Sequence, residues 1–201
     1  MKKCNKQAGN QKSRFARSAV LASLAMAAAT VGSSQAFAAV LCSSTPISIP
    51  ADINGVYVNF VTGATGTSGS GTAGWDFSAY AASGPILRFF SSSGAANTTQ
   101  YVGTGTTVDL LAAGTMIDAS SVLATAGVVQ PGAFQAGVTN GYVGVKFRNE
   151  GTAVSNYGWA SVTTTGPNGF PATITGYCYQ NDGTGIMAGT TPVSLQSYSV
   201  D

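Results

Sequence analysis

The stretch NGYVGVKFRN, residues 140–149, has the pattern of a strand that follows a tight turn. Asn140-Gly141 is a dipeptide typical of β-hairpin turns, because both residues tolerate the positive φ that such turns need. After it, Val143, Val145 and Phe147 share one face of an extended chain. The opposite face carries Tyr142, Gly144, Lys146 and Arg148. One apolar face and one polar face are typical of a strand in an antiparallel sheet.

Similar apolar runs recur along the chain between turn residues. The clearest cover residues 56–61, 86–90 and 173–179, and each is flanked by Gly, Pro or Asn turn signals. The segment GATGTSGSGTAG, residues 63–74, has the composition of a flexible loop. These patterns predict an all-β fold, specifically a two-sheet antiparallel β-sandwich of jelly-roll-like form.

A further strand, NYGWASV at residues 156–162, places two aromatic rings on one face. Tyr157 and Trp159 are two residues apart, so in a strand they point the same way. The opposite face carries only small or β-branched side chains, namely Gly158, Ala160 and Val162. Such small residues suit close sheet packing, which leaves two interpretations for the rings: an exposed binding platform or part of the core.

The alternation of side chains within residues 173–179 predicts which way Cys178 points. Ile174, Gly176 and Cys178 fall on one predicted face, and Tyr177 and Tyr179 fall on the other. Cys178 is therefore expected to point into the core.

The first 38 residues have the three parts of a secretory signal peptide. A basic segment precedes an uncharged apolar run at residues 19–31, which is too short to span a bilayer. An Ala-Phe-Ala motif at residues 36–38 supplies the small residues that a signal peptidase reads. We expect a helical signal peptide over residues 1–38, cleaved before Ala39, and a single domain over residues 39–201. The general secretory route would deliver that domain to the periplasm or the cell exterior.

The charge of the exported part differs from that of the whole chain. The chain has nine Lys and Arg residues and seven Asp and Glu residues. Six basic residues lie in the signal peptide, so three remain against all seven acidic ones, and the net charge becomes −4. A mildly acidic, charge-poor domain does not favour nucleic acid as a partner, because that binding depends on Lys and Arg.

Two cysteines remain after processing, Cys42 and Cys178. An even pair in an exported protein favours a disulfide between them. Lipid attachment at Cys42 is the rival interpretation, but Leu41 stands where a bacterial lipoprotein signal has a small residue. We expect the disulfide.

The chain has no histidine, which excludes the usual Ser-His-Asp, Cys-His and His-ligated zinc arrangements. Carboxylates remain, and a glycoside hydrolase would need two of them facing one cleft. The candidates are single and mostly lie beside turn residues: Asp76, Asp109, Asp118, Glu150 and Asp182. This placement favours turn formation and solubility, and Asn181-Asp182-Gly183 indicates a turn rather than a calcium loop. No metal or cofactor is predicted.

The C-terminal half contains several motifs in a fixed order, and it reads GYVGVKFRNEGTAVSNYGWASVTTTGPNGFPATITGYCYQNDGTGIMAGTTP over residues 141–192. With AGTMIDASS at residues 113–121 and GWDFS at residues 74–78, it resembles a group of exported bacterial proteins of unassigned function. Many members of that group carry a PEP-CTERM sorting tail. The resemblance implies an extracytoplasmic β-protein, of the cell envelope or extracellular matrix, and implies no activity.

Two departures from the group's pattern affect what the resemblance implies. Cys178 stands where the group usually has Ala, which indicates an inward-facing position for a small residue. The sequence finishes with VSLQSYSVD, residues 193–201, which contains no Pro-Glu-Pro motif. Sorting-tail processing is therefore not expected.

Aromatic side chains are the feature that points to a ligand. Tyr157, Trp159, Tyr177 and Tyr179 form, in one interpretation, a flat exposed strip on which sugars stack. In the other interpretation they pack in the core or at the rim of the sheet. Packing is favoured, because the resembling proteins have the Tyr-Gly-Trp motif without a shared activity.

Three functions remain open from the sequence. The first is a non-enzymatic exported protein with a structural or adhesion role, whose partners would be polysaccharide or further copies of itself. The second is a carbohydrate-binding module that uses the aromatic strip. The third and weakest is a carboxylate-based glycan hydrolase. No membrane span is expected once the signal peptide is removed.

Overall fold

The computed structural model describes residues 39–94 and 97–192, and it shows the predicted all-β protein. The strands in chain order are β1 Val40–Ser43, β2 Ile47–Ile49, β3 Val56–Val58, β4 Thr65–Gly66, β5 Phe77–Ala82, β6 Ile86–Gly94, β7 Asn97–Tyr101, β8 Gly103–Thr104, β9 Thr107–Val108, β10 Met116–Ile117, β11 Gly127–Val129, β12 Gly141–Arg148, β13 Ser155–Thr164, β14 Ala172–Gln180 and β15 Ile186–Met187. A 3-10 turn, Gly132–Gln135, lies between β11 and β12.

Within the described ranges, eleven of these strands form one antiparallel sheet with the main order β1-β14-β13-β12-β7-β6-β5-β3-β4. β2 also pairs with β14, and β11 also pairs with β6. The remaining strands form two short ribbons, β10–β15 and β8–β9. Five of the eight neighbouring pairs in this main order join strands that are consecutive in the chain, which is the connection that alternating sequence with tight turns favours.

β6 is nine residues long and belongs to two layers. Its first residues pair with β5, where Ile86 lies opposite Ala82, and its last residues pair with β7, where Ser92 lies opposite Thr99. Because this one strand joins both halves, the sheet curls and the two halves pack face to face. The predicted two-sheet antiparallel β-sandwich is confirmed.

The main core lies between the two layers. Phe60, which follows β3 in one layer, stacks on Tyr177 of β14 in the other, with ring centroids 4.3 Å apart. Phe60 also meets Phe147 of β12 edge to face at 5.7 Å. Such ring pairs add about 0.5–1.5 kcal/mol each beyond the area that they bury. The predicted inward face of β12 is confirmed, because Val143, Val145 and Phe147 are fully buried.

A second, smaller apolar cluster covers the opposite face of β13 and β14, and we call it the outer cluster. It contains Tyr157, Trp159 and Cys178 from the sheet, with Ile117 of β10 and Ile186 of β15. Ile117 and Ile186 are register partners in the β10–β15 ribbon. The ribbon therefore covers β13, and both faces of that strand are buried.

The Gly-rich segment at residues 63–74 is more ordered than its composition suggests. It includes β4, and Thr72 is only 2% exposed. A Cβ added at Gly69 would lie 2.9 Å from Trp75 Nε1, so the backbone approaches that ring closely. Glycine is suited to such an approach, because it has no side chain to displace the neighbour.

The predicted signal peptide, residues 1–38, lies outside the described residues, as does the segment 193–201. Among the residues that are described, no helix combines the length and apolar character that crossing a bilayer requires.

Candidate functional site

Cys42 and Cys178 form the predicted disulfide. The two residues are direct register partners in β1 and β14, and their Cα atoms lie 4.1 Å apart. So short a separation is typical of a non-hydrogen-bonded antiparallel pair, in which opposing side chains come closest. Cys178 is buried, whereas Cys42 is exposed on its edge strand. The bond therefore fastens the N-terminal strand of the domain to its neighbour.

A β-bulge interrupts β14 at Thr175. Ser161 of β13 pairs with Gly176, but the next residue, Val162, pairs with Ile174. Thr175 is therefore the extra residue of the bulge. Bulges change the direction in which the side chains of a strand point.

The prediction that Ile174 and Cys178 share a face is wrong, and the bulge is the reason. Ile174 lies in the main core together with Tyr177 and Tyr179, while Cys178 lies in the outer cluster. One extra residue reverses which face of the sheet each following side chain points to. Cys178 is buried as expected, but on the opposite side of the sheet from the main core.

The four candidate aromatic residues are buried on opposite faces of the sheet. Tyr157 and Trp159 are each 6% exposed and belong to the outer cluster. Tyr177 and Tyr179 are 4% and 3% exposed and belong to the main core. The hypothesis of one exposed Tyr/Trp strip is therefore wrong, and the burial of every ring agrees with the packing interpretation.

Trp159 packs edge to face against Tyr142 of β12, with ring centroids 5.2 Å apart. Its Nε1–H is buried and has no hydrogen-bond partner among the described residues. Leaving a buried donor unpaired costs about 1–3 kcal/mol. The apolar contacts of the indole ring must outweigh that cost, so Trp159 stays in the outer cluster for its packing.

A groove of about 510 Å³ opens beside the disulfide, over the outer face of β13 and β14, and we call it the bulge groove. Tyr142, Trp159 and the disulfide form its apolar lining. Its polar lining includes Ser43, Asn140, Ser161 and Thr175, and none of its described lining residues carries a charge. The volume is in the range typical of sites for small ligands, about 300–1,000 Å³.

Thr175, the extra residue of the bulge, is at the centre of a hydrogen-bonded group in this groove. Its Oγ1 lies 2.8 Å from Ser161 Oγ and 3.0 Å from Asn140 Oδ1. Thr163 Oγ1 accepts the backbone N–H of Asn140 at 3.0 Å and lies 3.3 Å from Asn140 Oδ1. Asn140 has a φ of 51°, a left-handed conformation that Asn adopts more readily than most residues. The turn and the bulge together hold these side chains in one place.

Sequence reasoning missed Asn140, Ser161 and Thr175 as a group, because only the bulge brings them together. A signal for the bulge is nevertheless present in the sequence. Ile174 and Tyr177 are both large and apolar, yet they are three residues apart, and a regular strand cannot place both on one face. An apolar pair at this spacing indicates either an extra residue or a strand that is buried on both faces, and Trp159 and Val162 of β13 are an example of the second case.

Asp118 and Asp182 stabilise their own turns, as predicted. Asp118 Oδ1 accepts the N–H and the hydroxyl of Ser120 at 2.8 and 2.6 Å. Asp182 Oδ1 accepts the same two groups of Thr184 at 2.9 and 2.6 Å. These hydrogen bonds, above all those from the hydroxyls, hold the pKa of both carboxyls below the ordinary value. In the described part of the chain, no three acidic, Cys or His side chains are grouped so as to hold a metal ion.

Asp76 differs from the other carboxylates because it is fully buried. Its Oδ2 accepts the N–H of Phe60 at 2.8 Å, while its Oδ1 has no hydrogen-bond partner among the described residues. Burial raises the pKa of Asp76 to about 8 against the opposing effect of the Phe60 hydrogen bond, and the Glu150 charge adds to the rise. Asn59 donates its Nδ2 to Glu150. Asp76 therefore lies close enough to Glu150 for that charge to affect its pKa, but its side chain has no exposed surface that could contact a substrate.

The chain matches no protein-family model, no curated protein and no solved structure. The resemblance to exported bacterial proteins of unassigned function therefore stays a prediction from the sequence motifs.

Proposed function

We propose that this chain is an exported, non-enzymatic β-sandwich protein of the cell envelope or extracellular space, with a structural or adhesion role. The disulfide between Cys42 and Cys178 carries the proposal. Structural disulfides form and persist in oxidising compartments and are rare in the cytosol. Because Cys42 is exposed, cytosolic thiol reductants would reach this bond directly. The secretory pattern of residues 1–38 supports the same location.

The contacts of the carboxylates support a non-enzymatic role. Asp118 and Asp182 accept hydrogen bonds within their own turns. Asp52 likewise accepts the backbone N–H groups of Asn54 and Gly55, both at 2.9 Å. Each of these carboxylates has a local structural partner, which is the arrangement typical of turn residues.

The burial of the aromatic residues supports a structural role for them. The rings of Tyr157 and Trp159 fill the outer cluster, and those of Tyr177 and Tyr179 fill the main core. Carbohydrate binding through an exposed strip of these four residues is not proposed, because a buried ring offers no face for a sugar to stack on.

The proposal is tested by producing the full chain in a bacterium and measuring where it accumulates and in what form. We expect a protein that begins at Ala39 in the periplasm or the medium, with a non-reduced mass that shows no free thiol. An Ala38→Arg variant is the control, because it blocks the cleavage site and should retain residues 1–38. Accumulation of uncleaved wild-type chain in the cytoplasm, or recovery of two free thiols, would refute the proposal.

A further inference from the structure

We propose that the bulge groove binds a neutral glycan, a short run of hexose units within an uncharged polysaccharide. This inference deepens the adhesion role and rests on it, because export is what brings the chain to such polymers. The groove is a different surface from the aromatic strip that the sequence suggested. It lies beside the disulfide on the outer face of β13 and β14.

The lining of the groove selects an uncharged ligand. Its described lining residues are hydroxyl, amide, aromatic, small or sulfur-containing side chains, without a Lys, Arg, Asp or Glu among them. A charged ligand would lose its hydration there without gaining an ion pair, which is unfavourable. The net charge of −4 expected for the exported domain disfavours acidic polymers further.

The polar groups of the groove match the hydroxyls of a sugar. Asn140 Oδ1 already lies within hydrogen-bond distance of Thr163 and Thr175. The amide nitrogen of Asn140, an exposed residue, keeps two hydrogens that it can donate to a ligand oxygen. The hydroxyls of Ser161 and Thr175 can each donate and accept. Sugar hydroxyls also donate and accept, so they can join this group from the open side.

The apolar part of the groove matches the C–H face of a hexose ring. Tyr142 is half-buried and stands edge to face with Trp159, so part of its ring remains open to the groove. Aromatic rings with a polar end serve well at such surfaces, because one side chain offers both apolar area and a hydroxyl. A groove that combines one open ring with a few fixed polar groups has the general composition of a ligand site.

The site is held in place before any ligand arrives. The disulfide ties Cys42 to Cys178 in the lining of the groove, and the bulge in the same strand places Thr175 there. The backbone N–H of Asn140 is bound to Thr163 Oγ1, which holds the turn that carries the Asn140 amide. Groups that are already ordered lose little conformational entropy when a ligand binds, which favours affinity.

The proposal is tested with the purified mature chain, residues 39–201, in a Trp75→Phe background. The chain has two tryptophans, so Trp159 is then the single fluorophore and reports on the groove itself. The probes are neutral hexose oligomers on a glycan array, followed by titration of cellohexaose, maltohexaose and any array hit. Hexagalacturonate is the charged comparison. We expect a neutral oligomer to bind and change Trp159 fluorescence.

Matched variants locate the binding. Thr175→Val removes one hydroxyl at constant shape, and Asn140→Gly removes the amide while keeping a residue that tolerates the positive φ. Each should weaken binding about tenfold, the effect of losing one hydrogen bond. Thr173→Val is the control: it makes the same substitution in the same strand outside the groove and should leave affinity unchanged. Circular dichroism checks that each variant is folded.

Three results would overturn the proposal. They are no binding to any neutral oligomer, binding that Thr175→Val and Asn140→Gly both leave unchanged, and equal or tighter binding of hexagalacturonate. All three are measured on purified protein, so they do not depend on where the cell places the chain. Failure of export would instead appear in the fractionation experiment while glycan binding by the purified chain persisted.

Discussion

Trp159 shows how a side chain that points away from the main core can still be buried. The alternation of β13 places Trp159 on the other face of the strand from Ala160 and Val162, as predicted. The β10–β15 ribbon then covers that face, and Trp159 is left only 6% exposed. A residue pattern tells which side of a strand a ring lies on, but it does not tell what covers that side.

We therefore expect Trp159→Ala to lower the free energy of unfolding by about 3–5 kcal/mol, because truncation leaves a cavity in the outer cluster. Trp159→Phe is the control, since it keeps a ring there and removes the Nε1–H, which has no hydrogen-bond partner among the described residues, so it should cost less. Urea denaturation followed by far-UV circular dichroism measures both. An alanine variant that unfolds at the wild-type urea concentration would show that the ring does not support the fold.

Asp76 should make the protein more stable in mild acid than in mild base. Its pKa is about 8 in the folded protein, against an ordinary value of 3.8. Between these values the folded state holds a proton that the unfolded chain has released. The stabilisation is complete below about pH 4, declines by up to about 1.4 kcal/mol per pH unit as the pH rises, and is lost above about pH 8.

Replacing Asp76 with Asn removes the titrating group and should flatten this dependence. Urea unfolding at pH 5, 7 and 9 measures it, and the chain has no histidine to add a titration in that window. Asp109→Asn serves as the control, because Asp109 is exposed. Wild-type protein that becomes more stable from pH 5 to pH 9 would contradict the assignment of a raised pKa to Asp76.

At the scale of elements, β14 combines a bulge with contacts to both apolar clusters. Deleting Thr175 would leave Ile174 and Tyr177 two residues apart, so a regular strand would still place both in the main core. The deletion removes the hydrogen bonds of Thr175 to Ser161 and Asn140, and we expect it to lower the free energy of unfolding by about 0.5–1.5 kcal/mol for each bond without unfolding the domain. Thr175→Ser keeps the hydroxyl and the chain length and should change stability little. Urea midpoints compare the two, and a deletion variant that does not fold would refute the assignment of Thr175 as the extra residue.

β1 is an edge strand that is joined to β14 by antiparallel pairing and by a covalent bond. The disulfide joins residues 136 apart, so it removes much of the freedom of the unfolded chain. In the chain-entropy model the double variant Cys42→Ala, Cys178→Ala should lose about 4–5 kcal/mol of stability. Because Cys42 is exposed, dithiothreitol should shift the wild-type urea midpoint to that of the variant. A wild-type midpoint that dithiothreitol does not move would argue against this contribution.

At the scale of the molecule, one continuous sheet and one shared core should make the domain unfold as a unit. Trp75 lies in the layer of β3, β5 and β6, where it contacts Tyr57 and Phe90. Trp159 lies in the other layer, in β13. We expect the single-tryptophan variants Trp75→Phe and Trp159→Phe each to show coincident fluorescence and circular dichroism transitions in urea. Separate midpoints for the two probes in either variant would mean that the layers unfold independently.

Local sequence was sufficient for the fold class, the main strands and the Cys42–Cys178 bond. Alternation of period two and turn dipeptides such as Asn140-Gly141 act within a few residues, so they can be recognised without the fold. The only two cysteines outside the predicted signal peptide leave one possible intramolecular pairing. The faces of β12 and β13 follow from the same short-range rule.

The bulge groove, the outer cluster and the burial of Asp76 could not be obtained in that way. The groove depends on the register between β13 and β14, where one extra residue reverses the alternation. The outer cluster depends on the ribbon formed by β10 and β15, which are far apart in the chain. Asp76 is beside turn residues in the sequence, but the fold brings Phe60 and the rest of the core around it. Each of these features rests on contacts between distant segments, and the hydrophobic free energy of burying both faces of the sheet is what brings those segments together.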